Sequence, residues 1–177
     1  HPYLRIGFLS VRCKWPSSKE NRVLLGSGLL IAFVANALNR TWLRWQFERA
    51  LFHYPDNHPP YLSDSNIPIH RIKLSSQNFK QALLSSGSIP LVMEGINTIA
   101  GAPAGIYRDG GLIDYHLDIP FQTQPGEIVL FPHFTQRIIP GWLDKAWKWR
   151  KPNPDHYSNV LLIAPSPDYI SKLPNQK

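Results

Sequence analysis

The 177 residues carry 43% apolar side chains and a formal charge of +7, which supports one packed domain and excludes an intrinsically disordered chain. That charge points to anionic partners, a phospholipid surface or a nucleic acid. With no zinc-finger spacing, ribonucleoprotein motif or long Lys/Arg block, nucleic acid is not expected among them. Residues 3–11 are rich in apolar and β-favouring side chains and read as a strand, broken by the polar stretch 16–20. Residues 23–38 are almost wholly apolar around Gly26-Ser27-Gly28. The run is shorter than the roughly 20 residues needed to cross a bilayer, so a buried helix or helix pair is expected, with a membrane-surface segment as the alternative. Trp42 and Trp45 follow among Arg40, Arg44 and Arg49.

Residues 47–54 read as a second strand, closed by the loop 55–60, and the alternation over 67–74 predicts a half-exposed third. Ser75 and Ser76 are N-cap candidates for a helix over 77–86, with Phe79, Ala82 and Leu83 on one face. Residues 127–131 and 159–164 form two further short strands, and Pro167-Asp168-Tyr169 opens a last helix. A helix is also expected over 141–151. At 100° per residue it gathers Trp142, Leu143, Ala146, Trp147 and Trp149 on one arc and Lys145, Lys148 and Lys151 on the other. Such a helix either packs on the sheet with a solvated basic face or lies at a lipid surface. Its lipid-contact candidates are Trp142, Trp147, Trp149, Lys145 and Lys148. Strands alternating with helices predict an α/β architecture with a largely parallel sheet in one domain, residues 1–177.

Other features narrow the chemistry less. Seventeen prolines restrict many loops. Lone Cys13 has no disulfide or metal partner, as fits a reducing compartment. The seven histidines form no H-x-x-x-H or H-E-x-x-H pair, so no metal site is expected; His53 and His58 flank a proline-rich loop. The chain opens on His1 with no signal-peptide pattern behind it, and a processed chain or a piece of a longer one is expected.

The chemistry concentrates between residues 79 and 121. A helix ends in Ala82-Leu83-Leu84-Ser85-Ser86-Gly87-Ser88, followed by Ile89-Pro90. A glycine-rich approach, residues 100–108, leads to Asp109-Gly110-Gly111-Leu112-Ile113-Asp114. Two glycines after an aspartate permit a tight turn with positive φ and a close backbone approach. At a strand end, the turn sets the carboxylate where α/β folds build sites, able to act as a general base on a neighbouring hydroxyl.

This order of features resembles the distal half of the patatin-like phospholipases. There a helix ending in small residues and Ile-Pro precedes a strand that delivers an Asp-Gly-Gly or Asp-Gly-Ala turn. The resemblance implies a three-layer α/β fold with a largely parallel central sheet, incomplete in this chain. It further implies a Ser-Asp dyad acting on phospholipid or other acyl-ester lipids without a cofactor, with Asp109 as general base and Gly110 and Gly111 as its motif turn. Backbone N–H groups of a glycine-rich loop stabilise the oxyanion in that family.

The family's G-x-S-x-G elbow has no counterpart. No serine has glycine at both −2 and +2; Ser27 has the wrong spacing, and Ser85, Ser86 and Ser88 read as packing and turn residues. The nucleophile is therefore expected outside these residues, and the isolated chain is expected to be inactive. After Asp114 comes Tyr115-His116-Leu117-Asp118-Ile119-Pro120, longer than the family pattern and lacking its Asn; neither Asp114 nor Asp118 is assigned to catalysis. His116 is a minor substrate-contact candidate. The alternative is a non-catalytic lipid-binding or protein-interaction module on a hydrolase scaffold, and a nucleic-acid binder would rest on charge alone. A cytoplasmic or peripherally membrane-associated location follows from the resemblance.

Overall fold

Runs of apolar and β-favouring residues make strands of Ile6–Cys13 (β1) and Phe47–Tyr54 (β2), and they pair antiparallel in unbroken register from Ile6–Tyr54 to Cys13–Phe47. The computed structural model describes residues 4–55, 66–121 and 123–174. Residues 56–60 of the expected loop, His58 among them, lie outside that description. Between β1 and β2 runs helix α1, Arg22–Leu38, then a 3₁₀ segment, Arg40–Trp45. β3 (Ile69–Lys73), α2 (Phe79–Ser86), β4 (Ile96–Asn97), β5 (Ile106–Asp109) and the single turn α3 (Gly111–Asp114) follow. A two-stranded ribbon, β6 (Val129–Pro132) with β7 (Val160–Ile163), and α4 (Pro167–Ser171) complete the order.

The main sheet runs β3-β2-β1-β5-β4. β1 is antiparallel to both β2 and β5, and β4 is antiparallel to β5. Among the described residues, only β2–β3, and β6–β7 in the separate ribbon, are parallel. The chain is thus mixed α/β, and the expected largely parallel sheet is corrected. Cys13 pairs with Phe47, so the chain re-enters the sheet at the end it left, carried back by the 3₁₀ segment. A helix between two strands forces a parallel pair only when the chain crosses over before re-entering.

Helix α1 starts where Asn21 Oδ1 accepts the N–H groups of Val23 (2.9 Å) and Leu24 (3.2 Å). It is one continuous helix, not a pair. Gly28 lies against the loop after β1, where a Cβ would come within 2.7 Å of Ser17 Oγ and 3.1 Å of Pro16 Cγ. Burial is one-sided: Leu25, Gly28, Leu29, Ala32 and Asn36 face inward, while Val23, Leu30, Ile31, Val34 and Leu38 are exposed. The expectation of a buried helix holds for that inner face alone.

The inner face packs with Val11, Leu43, Phe47, Ile113 and Leu143 in one cluster. Cys13 belongs to it, and burial pushes its thiol up to about 12. A second cluster joins Phe52, Ile72, Leu74, Ala82, Ile99 and Tyr107. Val11 packs in the α1 cluster while Ser10, next along β1, bonds Ser85 of α2 at 2.7 Å. Since side chains alternate along a strand, α1 and α2 cover opposite faces.

Two helix expectations need correction. α2 begins at Phe79, because Asn78 occupies the cap position: its Oδ1 accepts the Ser75 N–H, and its amide donates to the carbonyls of Lys73 and Ala100. Its buried face is Ala82 and Ser85, whereas Phe79 and Leu83 are largely exposed, Phe79 resting edge-on against Phe8. No α-helix forms over 141–151. Only Trp142–Asp144 forms a 3₁₀ turn, and the bonds beyond it, Trp147 to Asp144 and Arg150 to Trp147, also span three residues. Asp144 is fully buried and held by Asn36, Arg40 and Arg150, and tertiary anchoring of this kind overrides helical periodicity. Among the described residues, no helix is long and apolar enough to cross a membrane.

Candidate functional site

Strand β5 is held between β1 and β4, and Asp109 ends it opposite Ser10. The Asp109 N–H donates to the Ser88 carbonyl at 3.1 Å, fixing the residue after the α2–Ile89-Pro90 segment. Gly110 then turns the chain with φ −61° and ψ −25°, and Gly111 is not among the positive-φ glycines. The expected positive φ is corrected; the expected close approach is present. A Cβ on Gly110 would collide with the Leu9 carbonyl oxygen and lie 2.8 Å from its carbon, a backbone clash that no side-chain rotation relieves.

The turn pins one side of the carboxylate. Gly111 N–H donates to Asp109 Oδ1 at 2.7 Å, and Oδ2 accepts nothing from the described residues. Burial raises the Asp109 pKa, and the Gly111 hydrogen bond offsets only part of that rise. Two hollows meet at this carboxylate. One, of about 130 Å³, is lined by Ile89, Pro90, Leu112, Tyr115, Trp142 and Lys145 together with Asp109 and Gly111. The other, of about 380 Å³, includes Phe8, Leu9, Ser86 and Leu117. The Lys145 ammonium sits 4.1 Å above the Tyr115 ring.

The sequence candidates therefore divide. Trp142 and Lys145 share a pocket with Asp109. Trp147, Trp149 and Lys148 do not: Trp147 stacks on Trp149 at 5.7 Å and rests on Phe33 of α1 at 4.7 Å, Arg150 lies over both indoles, and Lys148 is exposed. The three serines at the end of α2 and just past it each spend their hydroxyl on a backbone carbonyl. Ser86 donates to Leu83, Ser88 to Leu84, and Ser85 to Ala82 while taking the Ser10 hydroxyl. Ser27, on exposed α1, donates to Leu24. None of these hydroxyls bonds Asp109.

The aspartates left without a catalytic role are structural. Asp114 is gripped by the Arg49 fork, Nε to Oδ2 at 2.7 Å and Nη2 to Oδ1 at 2.9 Å, with both residues buried. Arg40 links this pair to Asp144 and donates to the Ile113 carbonyl. An arginine inside an apolar strand needs a buried counter-charge, so Arg49 between Phe47 and Leu51 was the available sign of this network. Asp118 faces His156 Nδ1 at 3.0 Å and the Asn153 N–H at 3.2 Å; burial still raises its pKa. His116 is buried, lines neither hollow at Asp109, and accepts the Ile139 N–H at Nδ1. Burial, reinforced by nearby His133, lowers its pKa to about 4 and keeps the ring neutral at pH 7. Among the described residues, no three His, Cys, Asp or Glu side chains are grouped to hold a metal ion.

No family model, curated protein or solved structure matches the chain.

Proposed function

We propose that the chain is part of a lipid acyl hydrolase in which Asp109 is the general base of a Ser-Asp dyad and the serine lies outside these 177 residues. One observation carries this: a strand-end carboxylate with one oxygen pinned by Gly111, the other engaged by none of the described residues, and two hollows converging on it. In the proposed cycle that second oxygen takes the serine proton as the serine attacks an ester carbonyl. The alcohol leaves with that proton, and the same carboxylate then activates the water that releases the fatty acid. The raised pKa suits such a base, since proton affinity increases as the carboxylate is desolvated. Ile89, Pro90, Leu112 and Trp142 offer an apolar wall for acyl chain, and Lys145 offers a cation for an anionic headgroup. The dyad calls for no cofactor, and the expected setting is the cytoplasm or a membrane surface.

The test is Asp109→Asn in the longer protein, with hydrolysis of a phospholipid and of a soluble acyl ester as readouts. Unchanged turnover would end the dyad assignment. The isolated chain is expected to show no turnover; if it does, the nucleophile must be sought at Ser27 or Ser88. A second proposal, a non-catalytic lipid-binding or protein-interaction module, draws support from the three serine hydroxyls at the end of α2 and just past it, all spent on other partners. A G-x-S-x-G after a strand upstream of His1 in the gene would favour the enzyme.

A further inference from the structure

We infer that the outer face of α1 is a docking surface for anionic membrane, lying along the lipid headgroup layer. From Val23 to Leu38 the helix carries no charged residue. Its outward side presents Val23 (78% exposed), Leu30 (64%), Val34 (50%) and Leu38 (71%), with Ile31 beside them. These positions fall within one arc at 100° per residue, opposite buried Leu25, Leu29, Ala32 and Asn36. A ridge of this kind is costly to leave in water, so its surroundings decide what covers it.

Those surroundings favour lipid. Lys19 and Arg22 are exposed at the N-terminal end of the helix, where Glu20 between them is engaged by buried Arg108 at 2.8 Å, and Arg44 is exposed just past its C-terminal end. Trp15 and Trp45 are 70% and 61% exposed. Both belong to segments beside α1: Pro16 and Ser17 pack at Gly28, and the Lys14 N–H donates to the Gln46 carbonyl at 2.7 Å. An uncharged ridge, basic ends and exposed tryptophans match a helix lying in an anionic interface, and the chain's +7 charge adds long-range attraction. A second copy fits less well. Laid ridge to ridge, two copies would bring Lys19, Arg22 and Arg44 of one against the same basic residues of the other, between chains that each carry +7.

Membrane docking rests on the lipid-hydrolase reading for its purpose, but its test needs no catalysis, so either can fail alone. The 177-residue chain is sedimented with vesicles of phosphatidylcholine, with and without phosphatidylglycerol. Binding to the mixed vesicles is expected, weakened about tenfold or more by Leu30→Gln with Val34→Gln at unchanged circular dichroism. If that pair unfolds the chain, Arg22→Glu with Arg44→Glu tests the same surface from its ends, and the preference for phosphatidylglycerol should vanish. No binding to either vesicle, or binding insensitive to a folded variant, overturns the inference. So does a dimer in analytical ultracentrifugation that the apolar substitutions dissolve while vesicles are ignored.

Discussion

Two aspartates bracket α3, and the fold treats them in opposite ways. Asp114 is buried, and both its oxygens are held in the Arg49 fork, with Arg40 close behind. Asp109, five residues earlier, keeps an oxygen that no described residue engages at the meeting of two hollows, and its burial is offset by one backbone N–H. The first arrangement spends a carboxylate on cohesion, the second leaves one available for chemistry. Two groups of the same type so close in sequence therefore separate the cost of losing stability from the cost of losing reactivity.

The largest effects should come from exchanging the two roles. Asp109→Asn in the longer protein should lower ester hydrolysis about 10³-fold, the scale of a general base, with the melting temperature unchanged or slightly raised. Asp114→Asn should instead destabilise by about 3 kcal/mol in urea unfolding, because the buried Arg49 fork loses the carboxylate that its Nε and Nη2 both grip. If both variants lose stability alike, Asp109 is structural and the contrast collapses. Next, Gly110→Ala should cost about 1–3 kcal/mol through the Leu9 backbone clash, reducing activity only through that unfolding.

Smaller effects sharpen the picture of the pocket. Trp142→Ala should raise KM about tenfold for long-chain esters and leave kcat less affected, as expected for a wall that binds substrate and transition state alike. The smallest concerns pH. A raised folded-state pKa means that Asp109 binds its proton more tightly in the folded chain than in the unfolded one. It thus destabilises once ionised, and stability gains as pH falls through the raised value. Activity runs the other way, since the base works ionised. The acid limb of the pH–rate profile should lie above the ordinary carboxylate range, and a limb at that ordinary range would remove the argument from burial.

What the sequence disclosed depended on how locally each feature is determined. β2 matched its expected bounds, and α1 extended the apolar run by one residue, because β-favouring composition and an unbroken apolar run are local properties. The direction of the sheet was not legible, as it turns on where the chain re-enters after α1. Over 141–151 the spacing of Trp and Lys imitated a helix, but Asp144 turns inward to Asn36 and Arg40, partners more than a hundred residues away, with Arg150 closing on it from its own segment. The same long-range folding brought Trp142 and Lys145 to Asp109, a neighbourhood no spacing announced. Gly110 was legible as a necessity, although contact with Leu9 rather than positive φ makes it one.

Cys13 sits beneath this assembly, paired across to Phe47 of β2 and Ile106 of β5. With its thiol buried and pushed up to about 12, Cys13 is held as the unreactive thiol while the sheet stays shut. An alkylating reagent can then mark the chain only when β1 parts from its neighbours. The labelling rate becomes a clock for how often the platform under Asp109 comes apart, readable by mass alone and with no engineered probe.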